Sequence, residues 1–512
     1  MTLRFRATNR VAARALLLAS ALALPARATA QEAPDLAAFD RYVAQAARDW
    51  RVPGLAIAVV KDDSLVFAKG YGVIEIGKAA PATEHTRFAI GSTTKAMTTA
   101  ALAMLVDEGK LRWDDHVTDI LPELRLYDPY VTRELTVRDL LTHRSGLPGT
   151  DLFWGQPENV LPVAEQIRRL RYVRPSASFR STWQYHNVMY ALSGAIIERL
   201  SGMPWEQFVR TRIFTPLGMN ETEPLVSAIA GKANVAVPHA DIRDTVRVVP
   251  VRSTDGVASA GSVWSSVYDM SKWMRFMLDS GRVGNRRLIA PATFREIVAP
   301  QIRAPMAEYP ALELAQPHFF SYALGWFVQD YHGRTVWMHT GSIDGMSAII
   351  GLLPEQRVGV YVLANLDHAE LRHALMYEAF DVFGGVGGTR DWSADVRTLF
   401  ANRGRGVRGV APQQVAGTRP TYALDKYAGT YVDSAYGTIE VALAGGALRA
   451  HWDKADLGPL DHWEYDVFRS RPTGAGGSAM TLTFIPDGAG GISAVRAFGN
   501  SFIRSRGRTQ GQ

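Results

Sequence analysis

Strand-like runs at two distant places constrain the fold of this chain more than any other feature. Leu55-Ala56-Ile57-Ala58-Val59-Val60 is an unbroken apolar run, and Lys61-Asp62-Asp63-Ser64 is a turn. Leu65-Val66-Phe67-Ala68-Lys69-Gly70-Tyr71-Gly72 returns from it, so the stretch predicts a β-hairpin. Three further runs predict a meander: Arg334 to Met338, Met346 to Leu353, and Arg357 to Leu363, the last two joined by Pro354-Glu355-Gln356. The segments around and between these groups carry mostly helical patterns. Leu36, Phe39, Tyr42, Val43 and Ala46 recur at helical spacing over 35–50. Tyr190 to Leu200, Trp205 to Phe214, Ser266 to Leu278 and His373 to Phe383 also predict helices. Residues 150–180 read as loop-rich, and 222–260 as an irregular excursion with short strands. A sheet assembled from both ends of such a stretch is an α+β fold: one antiparallel sheet, helices on its faces and a helical insertion.

The texture changes near Tyr422. Short runs alternate with turns: Thr438 to Leu443, Ala447 to Trp452, Trp463 to Phe468, Met480 to Phe484 and Ala494 to Phe498, with glycines at 445–446 and 474–477. This predicts a small all-β barrel over 419–512. The Gly- and Arg-rich residues 386–418 read as a linker. With 512 residues and 47% hydrophobic content the chain sustains more than one core.

The first thirty residues read as a signal peptide. Arg4, Arg6, Arg10 and Arg14 precede the apolar run Ala15 to Leu24, and Ala28-Thr29-Ala30 offers small residues for cleavage after Ala30. The expected mature chain is exported to a periplasm or the extracellular space, with no membrane span, and its first domain covers 31–385. Net charge is +6 but the arginines are dispersed, so no nucleic-acid partner is expected. The chain has no cysteine, which excludes disulfides and thiolate chemistry. The histidines show no zinc-ligand spacing with carboxylates, so neither a metal nor another cofactor is expected.

Gly91-Ser92-Thr93-Thr94-Lys95 leads into the apolar helix pattern Ala96 to Val106, which Gly109 ends. Ser92 and Lys95 are three residues apart and share a helix face. A serine hydroxyl needs a base, and a desolvated lysine can lose its proton and serve. Only nine of the 56 basic residues are lysines, and Lys95 alone has a serine three positions before it. A lysine inside an apolar helix, in a chain that otherwise uses arginine, points to a proton that must come off.

Three other places bear on Ser92. In Tyr185-His186-Asn187 the phenol is a candidate general base, and the Asn187 amide can orient a substrate carbonyl. In His339-Thr340-Gly341-Ser342, Gly341 admits a close backbone approach and the Ser342 N–H can face an oxyanion. His339 and Thr340 can bind a substrate carboxylate or assist proton transfer. His143, in Leu140-Leu141-Thr142-His143-Arg144-Ser145-Gly146-Leu147-Pro148, reads as structural, a helix end with Gly146 as its stop. Thr136-Val137-Arg138-Asp139 reads as the capping box of that helix.

Ser-x-x-Lys at a helix start, then Tyr-x-Asn, then His-Thr-Gly is the ordered motif set of the penicillin-recognising serine hydrolases. Over roughly residues 38–385 the chain resembles the class C β-lactamase-like family, which includes D-alanyl-D-alanine carboxypeptidases, D-amino-acid peptidases and esterases. Val52 to Val60, Leu140 to Pro148 and Gly261-Ser262-Val263-Trp264-Ser265 add to the likeness. The region with Tyr427-Ala428-Gly429-Thr430-Tyr431 resembles the lipocalin-like barrel appended to some exported peptidases of the family.

The resemblance implies that Ser92 is acylated, that Lys95 and Tyr185 share the proton traffic, and that Tyr185 activates the deacylating water. It implies an oxyanion hole made by the N–H groups of Ser92 and Ser342, with Asn187, His339, Thr340 and Gly341 at the substrate. Which of Lys95 and Tyr185 is the resting base stays open. Many β-lactamases carry lysine where this chain has His339, and a partly charged histidine is a weaker carboxylate clamp. The expected activity is therefore that of a peptidase or carboxypeptidase on D-residue-containing or unusual peptides, with an esterase or β-lactamase using the same site as the alternative. A non-catalytic peptidoglycan- or peptide-binding protein would be expected to lack Ser92, Lys95 or Tyr185. The expected partners are a small peptide, ester or β-lactam substrate, and a second copy of the chain through the C-terminal domain.

Overall fold

The computed structural model describes residues 34–155, 159–407, 414–471 and 479–505. The predicted signal segment 1–30 and the glycine-rich residues 474–477 lie outside them. Among the described residues no helix is long and apolar enough to cross a membrane.

The fold is α+β. Its main sheet has eight antiparallel strands: β1 (Gly54–Lys61), β2 (Ser64–Gly72), β3 (Ile302–Arg303), β4 (Phe320–Tyr322), β5 (Phe327–Tyr331), β6 (Arg334–Ile343), β7 (Met346–Leu353) and β8 (Val358–Ala364). Their spatial order is β2-β1-β8-β7-β6-β5-β4-β3, so the predicted hairpin and meander meet where β1 pairs with β8, Ile57 opposite Val362. Strands β3 to β5 were not predicted. They are two to five residues long, too short for a period to show.

The sheet is covered on both faces, which is why β1 is apolar throughout rather than alternating. Leu55, Ile57 and Val59 join one core with helix α1 (Leu36–Asp49) and helix α6 (Leu371–Gly384). Ala56, Ala58 and Val60 join the other with helix α2 (Thr94–Asp107) and helix α5 (Val267–Leu278). Helix α2 is buried from Thr94 through Leu105, so it runs through the molecule rather than along its surface.

The helical insertion holds helix α3 (Val137–Leu141) and helix α4 (Asn187–Ser201). Thr136 and Asp139 form the reciprocal capping box of α3. The stop of α3 differs from expectation. Thr142 caps it and His143 takes the left-handed turn at φ 56°, three residues before Gly146. Within the loop-rich residues 150–180, Val163–Arg169 is helical. The stretch after Trp205 is α-helical only to Val209 and widens into a π turn over Arg210–Phe214.

The segment 386–418, read as a linker, carries helix α7 (Trp392–Val407). Trp392 stacks on Tyr377 of α6 at 4.6 Å and donates to Asp381, while Tyr42 of α1 donates to Asp391 and accepts from the Ser393 N–H. One buried tryptophan docks a helix that its glycines and arginines disguise.

The C-terminal part is a closed eight-stranded antiparallel barrel: β9 (Gly429–Asp433), β10 (Gly437–Ala444), β11 (Ala447–Trp452), β12 (Ala455–Glu464), β13 (Val467–Ser470), β14 (Thr481–Pro486), β15 (Ile492–Ala497) and β16 (Asn500–Arg504). The run Trp463 to Phe468 is not one strand; it straddles the turn between β12 and β13. Tyr427, Tyr431, Phe468 and Phe484 pack as one aromatic cluster, side chains filling a small barrel.

Candidate active site

Two glycines bring the sheet and α2 together. Ser92 sits in a single 3₁₀ turn, Gly91–Thr93, that feeds α2. Gly91 has φ 54°, and a Cβ there would lie 2.8 Å from the Ser342 nitrogen. A Cβ on Gly341 would lie 1.9 Å from the Ile90 carbonyl oxygen and 3.2 Å from the Ser92 nitrogen. Only backbone fits between β6 and the turn, so the peptide nitrogens of Ser92 and Ser342 line the same crevice.

Lys95 is the second residue of α2, one turn on from Ser92, and is fully buried. Its Nζ lies 3.1 Å from Ser92 Oγ, 2.7 Å from Asn187 Oδ1 and 3.0 Å from the Ala260 carbonyl oxygen. Those contacts use all three protons of an ammonium. Removing one leaves two donations, to Asn187 and Ala260, and a lone pair for the Ser92 hydroxyl. Burial lowers the Lys95 pKa to about 7, against an opposing pull from Asp151.

Tyr185 places its ring 4.6 Å from Lys95 Nζ, and Ser92 pulls its phenol's pKa down against the larger effect of burial. Burial pushes that phenol well above its ordinary pKa, so it holds its proton. Asn187 is the first residue of α4, not part of an extended segment. Its Oδ1 accepts from Lys95, and its Nδ2 donates to Asp151 Oδ1 at 3.1 Å.

His339 and Thr340 face inward. His339 is 1% exposed, with Nδ1 2.6 Å from the Thr340 carbonyl oxygen and Nε2 3.0 Å from the Tyr322 hydroxyl. The carbonyl requires a proton on Nδ1, so Nε2 accepts from Tyr322. Burial holds the His339 pKa down to about 3, and the ring is neutral. The Thr340 hydroxyl pairs with Tyr309 at 2.8 Å. His143 lies in the same layer, its ring 4.4 Å from Tyr185 and 4.9 Å from Tyr322. Its Nδ1 accepts the His186 N–H at 3.1 Å, tying the end of α3 to the segment that carries Tyr185.

The structure thus brings Ser92, Lys95, Tyr185, Asn187, Gly341 and Ser342 around one crevice, and sets the side chains of His339 and Thr340 behind it. Sequence reasoning missed Asp151, Ala260, Tyr309 and Tyr322. Ala260 directly precedes Gly261 to Ser265, a stretch singled out by resemblance without a role. The others carry no local signal, because each reaches the site from a distant segment. Among the described residues no group of histidine and carboxylate side chains is arranged to hold a metal ion.

The sequence matches the Beta-lactamase family over residues 39–382 and a domain of unknown function, DUF3471, over 413–503. A relative described as "Unguisins hydrolase ungD", from Aspergillus violaceofuscus, is 29% identical over 441 residues, covering 80% of this chain and 78% of its own. The octameric penicillin-binding protein homologue from Pyrococcus abyssi superposes with a TM-score of 0.60 at 24% identity, covering 92% of this chain and 99% of that one. A D-stereospecific amidohydrolase from a Streptomyces species superposes with a TM-score of 0.56 at 23% identity, over 69% of this chain and all of that one. A family match over most of the chain, with a Ser-x-x-Lys pair at a helix start, identifies it: the chain belongs to the Beta-lactamase family and is a serine hydrolase.

Proposed function

We propose that this hydrolase cleaves an amide bond through a Ser92 acyl-enzyme, with Lys95 as the resting base and peptides containing D-residues or other unusual residues as substrates. The observation that carries the proposal is the dry Lys95 Nζ at 3.1 Å from Ser92 Oγ, with a pKa near 7. Tyr185, with its raised pKa, is the partner that keeps its proton at rest. Ser92 Oγ attacks the substrate carbonyl carbon and its proton passes to Lys95. The oxyanion meets the N–H groups of Ser92 and Ser342. As the carbon–nitrogen bond breaks, the leaving amine takes a proton from the Tyr185 hydroxyl, which recovers one from the Lys95 ammonium. Water then attacks the ester, its proton travels by Tyr185 to Lys95, and Ser92 leaves with a proton.

The neutral, enclosed His339 offers no charge to a substrate carboxylate. This weighs against a carboxypeptidase or an efficient β-lactamase and in favour of a peptidase that does not require a terminal carboxylate. The relative named for hydrolysing unguisins and the fold shared with a D-stereospecific amidohydrolase support the same direction. Export rests on the N-terminal pattern of charge, apolar run and small residues.

A panel of D- and L-peptides, p-nitrophenyl esters and a chromogenic cephalosporin tests the substrate class. Turnover of D-peptides, with or without a free C-terminus, should exceed that of the cephalosporin. A preference for the cephalosporin, or for substrates with a free carboxylate, would contradict it.

A further inference from the structure

Among the described residues, Arg372 is the one buried arginine or lysine that this mechanism does not use. It stands near the start of α6 and is 4% exposed. Its Nη1 donates to the Gly341 carbonyl oxygen at 2.7 Å and to Ser342 Oγ at 2.8 Å, with the Ala348 carbonyl oxygen at 3.4 Å. Its Nη2 donates to Glu370 Oε1 at 3.0 Å. Burial alone would raise the Glu370 pKa, but the guanidinium holds it near 2, so the pair is ionised.

The position of the first of these bonds is informative. Strand β5 pairs with β6 only as far as Met338, so the far end of β6 has no strand on that edge. The Gly341 carbonyl belongs to the peptide whose nitrogen is that of Ser342. In a trans peptide the C=O and N–H point in opposite directions. The β6–β7 ladder, with Gly341 opposite Ala348, and the guanidinium on the oxygen together hold the N–H toward the other side, where the Ser92 turn lies. Positive charge on the oxygen also draws electron density from the nitrogen and makes the N–H a stronger donor. A neutral donor would need no desolvated charge, whereas enclosing two ions strips both of water.

We propose that Arg372 is a positioning residue of the oxyanion hole: bonded to the carbonyl of the Gly341–Ser342 peptide, it aims and strengthens the Ser342 N–H, with Glu370 holding it in place. The proposal rests on the Ser92 acyl-enzyme reading above. Its signature is a loss confined to the transition state, where negative charge develops on the substrate oxygen.

The test compares an ester with its thiono counterpart, in which sulfur replaces the carbonyl oxygen and accepts hydrogen bonds poorly. Arg372→Met is expected to lower kcat for the oxo ester about tenfold or more while KM changes little, since one oxyanion donor is worth about 10²–10³ in kcat. The oxo-to-thiono ratio of kcat/KM should fall by a similar factor, and Arg372→Lys, which keeps a charge at the oxygen, should recover most of it. Equal losses on both esters would overturn the proposal and leave Arg372 a purely structural clamp. Should Arg372→Met fail to fold, Arg372→Gln keeps a donor without the charge. It must also lower the ratio, and an unchanged ratio there overturns the proposal. If wild-type protein forms no adduct with any acylating probe, the acyl-enzyme reading itself fails, an outcome separable from the others.

Discussion

Lys95 has an acidity far from that of a surface lysine because it is enclosed away from water. Its nearest polar partners are a hydroxyl, an amide oxygen and a peptide oxygen, and none carries a full charge. The Asp151 carboxylate raises the pKa against the larger effect of burial. As the base, Lys95 must be neutral. Below about pH 7, kcat/KM should therefore rise about tenfold per pH unit and then level off, as a pH–rate profile will show. Lys95→Arg should reduce turnover to the level of Ser92→Ala, because arginine keeps its proton. An activity that falls as pH rises through 7 would assign the protonated amine instead. At this scale Ser92 and Lys95 were legible because helix geometry fixes two residues three apart. Tyr185 and Asn187 were legible only as a motif in order. Asp151 and Arg372 were not, since nothing near either one in sequence signals a partner on another segment.

Elements hold these side chains at the required spacing. The contact between β6 and the Ser92 turn has no room for a methyl group. Gly341→Ala should push the two apart by enough to cost about 10² or more in kcat/KM, the scale of an ångström's misplacement, with little change in circular dichroism. The loop after α3 is tied differently. Asp139, fully buried, closes the capping box and accepts from Arg144 at 2.5 Å and Arg180 at 2.7 Å. Asp139→Ala leaves two guanidiniums without their anion, and chemical denaturation should show a loss of about 3–5 kcal/mol. Thr136→Ala removes only the cap and should cost about 1 kcal/mol. The capping box was legible because four consecutive residues contain it. His143 as the helix stop was not, because a left-handed histidine looks like any other until its neighbours are placed. The short strands β3 to β5 and helix α7 escaped for the same reason: aromatic residues such as Phe327 and Trp392 hold them through contacts with distant segments.

In the whole molecule, the barrel and the hydrolase domain share a seam near the crevice. Asn159 donates to the Trp452 carbonyl at 2.7 Å and accepts from the Lys454 N–H at 2.9 Å. Arg169 donates to the Ala435 carbonyl, and Tyr436 packs against Phe153 at 5.5 Å. Phe153 lies two residues from Asp151, which binds Asn187, which binds Lys95. The barrel therefore braces the loop that orients Asn187. Tyr436→Ala and Asn159→Ala should each raise KM several-fold and lower the melting temperature by a few degrees, as steady-state kinetics and calorimetry will show. Unchanged kinetics in both would confine the seam to a structural role. The two-part organisation was visible in the change of texture near Tyr422, whereas the seam was not. It depends on single residues, Asn159 and Tyr436, whose neighbours in sequence give no hint of it.

Catalysis by this hydrolase turns on one covalent bond, the one that Ser92 Oγ forms. Incubation with a fluorophosphonate, followed by intact-protein and peptide mass spectrometry, reads it directly. The predicted result is one adduct per chain on the peptide that contains Ser92, abolished in Ser92→Ala and strongly slowed in Lys95→Ala. Labelling that persists in Ser92→Ala, or that falls on another residue of the wild-type chain, would contradict it.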